Sequence, residues 1–191
     1  AEDVGGVVGL DPDVLVNNAG LGVMAPLTSV PLGRLKAGFE VNVFGMVAMC
    51  QAVIPGMKAN GAGRIINMSS IAGVLSGPMT APYAMTKHAA AAFTVALRDE
   101  LAPYGIDVTK LNPGPYATGF NDTMVNGIAG YIEEGDAPAV AAEEFIRAIV
   151  LTDQADPDEV VQAMADLAEA ETTPLETFLP PGIRELIAPA D

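Results

Sequence analysis

Apolar positions along the chain follow two rhythms. Short apolar runs that end in polar residues occur at Asp13 to Gly20 and at Arg64 to Ser70, and Ile106 to Asn112, with Asp107, Thr109 and Lys110 among its apolar residues, reads as a third strand. Continuous apolar runs of this length, bounded by turn residues, predict strands buried on both faces of a parallel sheet. Between and after them the spacing changes to three and four. Leu35, Phe39, Val43, Met46, Val47, Cys50, Val53 and Ile54 predict a helix over Leu32 to Asn60, apolar on most sides. Tyr83 to Ala102, with small alanines that permit close packing, predicts a second, and Ala139 to Leu151 a third.

A further helix is announced by Asp156 as N-cap, Pro157 in the first turn and Glu159 completing a capping-box pattern ahead of Val160, Val161, Met164 and Leu167. Thr177-Phe178-Leu179 predicts a short last strand, and residues 1 to 12 the tail of a helix and a turn. The glycine-rich, partly apolar segment from 119 to 137 predicts a substrate lid, an ordinary surface loop with a short helix being the alternative.

With 191 residues, half of them hydrophobic, one domain with a substantial core is expected. Nine basic against 24 acidic residues give a net charge of −15, which repels phosphate backbones and anionic membranes and argues against nucleic acid as a partner. The run Val41 to Met57 is interrupted by Asn42, Gln51 and Pro55, and is therefore expected to be a buried helix and not a membrane span. Ala1 to Gly6 show no basic stretch leading into an apolar core, so no secretory signal is expected. The single cysteine, Cys50, predicts a buried thiol and a reducing, cytoplasmic setting.

The candidate chemistry centres on Ser70, Tyr83 and Lys87. Four residues apart on a helix, Tyr83 and Lys87 share one face. A cation beside a phenol favours the phenolate, so Tyr83 is expected to have a lowered pKa and to act as acid or base near neutrality. Ser70, at the carboxyl end of a strand, can donate to a carbonyl oxygen held beside the phenol. It is not in a Gly-x-Ser-x-Gly elbow, because Met68 and Ala72 flank it at two residues, so covalent serine chemistry is disfavoured. His88, one residue past Lys87, points elsewhere around the helix and is expected to be structural. Asp156, Asp158 and Glu159 suit the positive end of a helix dipole better than a metal, and no metal site is expected.

Asn17-Asn18-Ala19-Gly20, Asn42, Ser70, Tyr83-x-x-x-Lys87 and Asn112-Pro113-Gly114 stand in the order and spacing of the short-chain dehydrogenase/reductase family. The chain resembles that family closely from Asp13 to Phe120 and loosely beyond. The resemblance implies an α/β, Rossmann-like, doubly wound parallel sheet, and an oxidoreductase that interconverts a secondary alcohol and a ketone with NAD or NADP. It implies Asn42, Ser70, Tyr83 and Lys87 as the catalytic set, Asn42 holding a water connected to the lysine, where the residue alone could equally be satisfied by nearby backbone. It also implies Asn17, Ala19, Gly20, Tyr83, Lys87, Pro113, Gly114 and Thr118 as cofactor-binding, with Asn17 to Gly20 steadying the sheet as well. A homodimer or homotetramer through helices 32–60 and 83–102 follows in the same way.

The family's opening glycine-rich turn, which brings backbone against a dinucleotide pyrophosphate, has no counterpart before Asp13. The expectation is therefore the carboxyl-terminal portion of the fold, without its first three strands and without the residue that selects NAD or NADP. The strand at Val14 to Val16 would then present an apolar edge. A longer polypeptide, a covering chain, or a noncatalytic scaffold acting through dimerisation would each account for it.

Overall fold

The computed structural model describes residues 12–187, apart from the side chain of Leu186. The helix tail and turn expected over residues 1–12 therefore lie, up to residue 11, outside the described residues. Four strands, β1 (Val14–Asn17), β2 (Gly63–Met68), β3 (Ile106–Pro113) and β4 (Glu176–Leu179), form one parallel sheet in that order. Their registers pair Asn17 with Asn67, Met68 with Leu111 and Pro113 with Leu179, so the carboxyl ends lie along one edge. Among the described residues β1 pairs with β2 alone.

Alternation along the strands sends side chains to two apolar layers. On one face Leu15, Ile65 and Val108 pack against Cys50, Val53 and Met57 of α2 (Met46–Asn60) and Leu97 and Leu101 of α3 (Ala81–Leu101). On the other, Ile66, Met68 and Leu111 pack against Val160 and Leu167 of α6 (Asp158–Glu169). Helices on both faces of a parallel sheet make this a doubly wound α/β arrangement.

The helix expected over Leu32–Asn60 is in three pieces: α1 (Leu32–Phe39), a π-helical turn (Glu40–Gly45) and α2. Asn42 is buried in that turn. Contrary to the sequence reading, this 29-residue path is by length and composition long and apolar enough to cross a membrane. The supposed interruptions fail to interrupt it: Asn42 is absorbed by the π turn, and Pro55 sits inside α2. Its inner side, Met46, Cys50, Val53 and Met57, is buried, while Leu32, Val41 and Phe44 are exposed.

One local expectation is corrected. Asp156 does not close a capping box, because α6 begins at Asp158 and the Asp156 carboxylate accepts from the Asp158 N–H at 3.0 Å. Glu159 is taken instead by a long-range donor, the Tyr116 hydroxyl. The 119–137 segment folds as α4 (Phe120–Asn126) and a 3-10 turn (Ile128–Tyr131), with Met124, Val125 and Ile128 buried. The chain continues into α5 (Ala137–Leu151), whose first turn is capped by the Asp136 carboxylate, and ends in α7 (Ile183–Ile187).

Candidate active site

Ser70 lies just past the end of β2, Tyr83 and Lys87 lie on α3, and a 3-10 turn at Ile71–Gly73 connects the two elements. Ser70 caps that turn by accepting from the Ala72 N–H at 3.1 Å, and its hydroxyl donates to the Pro113 carbonyl at 3.4 Å. One serine thus ties β2 to the end of β3. Gly73 lets the turn press onto α3: a Cβ there would meet Ser69 Oγ at 2.6 Å and the Lys87 carbonyl oxygen at 3.0 Å. No motif singled out Gly73, although a glycine three residues after a candidate catalytic serine invites the reading of a close approach.

Tyr83 is 6% exposed, and its ring lies against Phe120 of α4 with centroids 5.8 Å apart. Burial pushes its phenol well above the usual tyrosine range, and the Ser70 hydroxyl pulls it back only in part. The lowering expected from Lys87 does not appear. The lysine ammonium stands 5.6 Å from the Tyr83 ring centroid and donates to the Met68 carbonyl at 2.8 Å. Lys87 is itself buried, which lowers its pKa to about 8. Desolvation of the phenol therefore outweighs what its neighbours return.

Asn42 is engaged through both ends of its amide. Its Oδ1 accepts from the Leu21 N–H at 2.7 Å, and its Nδ2 donates to the Leu21 carbonyl and to Thr86 Oγ1, each at 2.8 Å. Thr86 in turn donates to the Tyr83 carbonyl at 2.8 Å. The asparagine therefore clasps the loop after β1 to the turn of α3 that carries Tyr83 and Lys87. Thr86, fully buried between those two residues, was not picked out from the sequence; its place inside Tyr-x-x-x-Lys was the available signal.

The expected cofactor-binding residues separate into groups. Gly20 and Thr118 face a common groove of about 570 Å³, lined also by Leu21, Gly22, Gly119, Phe120 and Thr123. Ala19 is exposed beside Gly20. Pro113 meets the site through its carbonyl, as the Ser70 acceptor. Asn17 and Gly114 do not line the groove. Asn17 donates to Asn67 Oδ1 at 2.9 Å and to Cys50 Sγ at 3.4 Å, so its amide is spent on the sheet-steadying part of its expected role. Gly114 donates its N–H to the Leu179 carbonyl at 2.7 Å and belongs to the β3–β4 junction.

The residues present fit one side of a dinucleotide. Gly20 brings the groove beside Asn42 and Lys87, since a Cβ there would lie at ordinary contact distance, 3.7 Å from Asn42 Oδ1 and 4.0 Å from Lys87 Nζ. Thr118 supplies an exposed hydroxyl, and Lys87 a buried ammonium. Cys50 is inert by comparison, its thiol raised to about 11 by burial. His88 is exposed, with Nδ1 2.9 Å from the Ala84 carbonyl oxygen, in keeping with a structural role. Among the described residues no group of three or more His, Cys, Asp or Glu side chains could hold a metal.

Comparison with known proteins agrees with this geometry. The chain is 31% identical over 182 residues to 3-ketodihydrosphingosine reductase of Bacteroides thetaiotaomicron, a match covering 92% of this chain and 65% of that protein. Gluconate 5-dehydrogenase from Burkholderia cenocepacia, solved with NADP and tartrate, superposes with a TM-score of 0.73 at 30% identity over 92% of this chain and 66% of the other. An NAD+-bound xylitol dehydrogenase gives a TM-score of 0.73 at 29% identity, covering 88% and 68%. The chain thus spans about two thirds of the length of these proteins. The short chain dehydrogenase family matches over residues 10–128, from before β1 through α4, a span that contains Ser70, Tyr83 and Lys87. The chain belongs to the short-chain dehydrogenase family.

Proposed function

We propose that the protein is an NAD(P)-dependent oxidoreductase that interconverts a secondary alcohol and a ketone, with Tyr83 as the proton donor or acceptor. The observation that carries this reading is the meeting of Ser70, Tyr83 and Lys87 at the carboxyl end of the sheet, where Phe120 both touches the Tyr83 ring and lines the groove. Carboxyl ends of strands are where open α/β sheets bind ligands. A bound nicotinamide supplies the hydride that reaches the carbonyl carbon, or takes it up in the reverse direction.

The chain's own residues handle the oxygen. Ser70 donates a hydrogen bond to it, exchanging the long contact with the Pro113 carbonyl for the substrate. Tyr83, kept protonated at neutral pH by its burial, delivers the proton to the same oxygen during reduction. Lys87 binds ribose hydroxyls with the donors that Met68 leaves free, and the proton on Tyr83 is replenished along that side. Asn42 holds the groove loop against α3, and any water it shares with Lys87 would use the remaining lone pair of Oδ1. Gly20 and Thr118 receive the cofactor.

Assembly through the outer faces of α1, α2 and α3 is part of the proposal. Phe44 and Val41 of the π turn between α1 and α2, and Val95 of α3, are exposed, at 56%, 40% and 40%. The bound NADP and NAD+ of the two solved relatives support a nicotinamide cofactor.

Calorimetric titration of the 19.6 kDa chain with NADH and with NADPH tests the cofactor, and Tyr83→Phe tests the chemistry. The expected result is binding of one of the two and a loss of turnover of about a hundredfold or more in the variant. Unchanged turnover in Tyr83→Phe would remove Tyr83 from the mechanism.

A further inference from the structure

The wall of the groove that carries Thr118, Gly119, Phe120 and Thr123 follows directly on the end of β3. Ala117, Thr118 and Gly119 are exposed, so these residues have little buried surface to fix their course. The wall is held from behind. The connection between α5 and α6 runs beside it as a short parallel bridge between Tyr116 and Ala155. The Ala117 N–H donates to the Ala155 carbonyl at 2.9 Å, and the Ala155 N–H to the Pro115 carbonyl at 3.1 Å.

Two side chains extend this grip. Gln154 bridges Asn121 and Asp122 of α4, accepting from Asn121 Nδ2 and donating to Asp122 Oδ2, each at 3.3 Å. An ionised carboxylate only accepts, so Asp122 dictates which end of the Gln154 amide it meets. Asp153, with a φ of 55° in the left-handed region, turns the chain immediately before Gln154.

Glu159, in the first turn of α6, accepts from the hydroxyl of Tyr116, a residue only 4% exposed. Bonds of this kind to a charged acceptor are strong and directional. The Tyr116 carbonyl in turn accepts from the Thr118 N–H at 2.8 Å and from Asn121 Nδ2 at 3.4 Å. Tyr116 is thus anchored to α6 by its side chain and shapes the Thr118 turn with its backbone. Gln154 and Glu159 do not line the groove themselves, and both lie beyond residues 10–128, where the family match ends.

We infer that Gln154 and Glu159 are positioning residues for the groove: through Asn121, Asp122 and Tyr116 they set where Thr118 and Phe120 stand, and with that the affinity for a nicotinamide cofactor. The choice of ligand rests on the oxidoreductase reading, whereas the grip on the wall can be measured without it. Gln154→Glu sets two carboxylates against each other, and combining it with Asp122→Asn restores the pair with donor and acceptor exchanged. Glu159→Ala removes the acceptor for Tyr116, and Glu159→Gln keeps one. Amide hydrogen exchange over residues 116–123, urea midpoints, turnover, and calorimetric Kd for NADH and NADPH are compared between the unmodified chain and each variant.

In Gln154→Glu and in Glu159→Ala, exchange over residues 116–123 is expected to be about tenfold faster and Kd about tenfold higher, both returning to within about threefold in the two rescue variants. Turnover at saturating cofactor is expected to stay within about threefold, because Ser70, Tyr83 and Lys87 are placed by β2 and α3. Exchange that rises evenly across the sheet and tracks a fallen urea midpoint, or rescue variants that recover nothing, would overturn the inference. Faster exchange with unaltered Kd would overturn it and leave the proposed function standing. If the unmodified chain bound neither cofactor, the failure would fall on the proposed function; exchange quickened only over 116–123 would then uphold the grip of Gln154 and Glu159 on the wall, and unchanged exchange would overturn it.

Discussion

The Lys87 ammonium donates to the carbonyl oxygen of Met68, the last residue of β2, at 2.8 Å. The helix that carries the candidate acid is thereby pinned to the strand that delivers Ser70, and the charge is kept where solvent barely reaches it.

Burial has a measurable signature in pH. Lys87 has its pKa lowered to about 8 from an ordinary 10.5, so the unfolded chain binds more protons than the folded one between those values. Below about pH 8 the cost of burying the ammonium is present in full, and it is relieved as pH rises toward 10.5. Stability of the unmodified chain relative to Lys87→Met should therefore increase from pH 8 upward, by at most about 1.4 kcal/mol per pH unit. Urea denaturation of both at several pH values checks this. The raised Cys50 and Tyr83 groups work in the opposite direction at high pH but are common to both proteins.

Asn17→Ala should destabilise the chain by about 1–3 kcal/mol, because it strands the buried Asn67 Oδ1 without its donor. Asn67 in turn reaches Thr94 on α3 at 3.0 Å, so the loss spreads from the sheet to the helix. Equilibrium denaturation gives the number. Slower-exchanging amides in β1 after the substitution would contradict it.

Gly73→Ala should separate activity from stability. The new methyl meets the Lys87 carbonyl and Ser69, and relief requires the 3-10 turn to lift off α3. Overpacking of this kind costs about 1–3 kcal/mol. Displacing Ser70 from Tyr83 should reduce turnover by about a hundredfold at temperatures where the variant remains folded. Circular dichroism and steady-state kinetics on one preparation distinguish the two effects.

Arg64→Met probes the far end of the sheet. Its guanidinium donates to the carbonyls of Leu167, Ala168 and Ala170 at the carboxyl end of α6 and pairs with Asp107 at 3.5 Å. Charged hydrogen bonds of this type are worth about 1.5–3 kcal/mol. The expected outcome is a loss of that size in urea, with hydrogen exchange rising first in the last turn of α6 and unchanged around Tyr83.

The sheet was legible because strands covered on both faces must be apolar along their length and become polar only where they emerge. Each of the four expected strands is present, and Ser70, just past the end of β2, stands at the candidate site. Helical periodicity located α3 and the α1–α2 path, but one extra residue in a helix leaves the spacing of three and four almost intact, so the π turn was invisible. Long-range partners were equally hidden. Glue such as Thr86, or the Tyr116 hydroxyl that claims Glu159, depends on which loops the fold brings together. The Tyr83 shift was misjudged in sign for the same reason: its cause is burial in the folded chain, where its ring lies against Phe120, 37 residues further along.

The π turn at Glu40–Gly45 makes chain length itself a variable of the site. A turn with one residue too many is what a single-codon insertion into a regular helix leaves behind, and each residue advances a helix by about 100°. Removing one residue here would restore an unbroken ladder while swinging α1 around relative to α2. The Asn42 amide would leave Leu21 and Thr86, although every side chain named in the chemistry would still be encoded. In this stretch the reading frame of the helix carries information that no substitution can report, and a one-residue deletion is the more severe lesion.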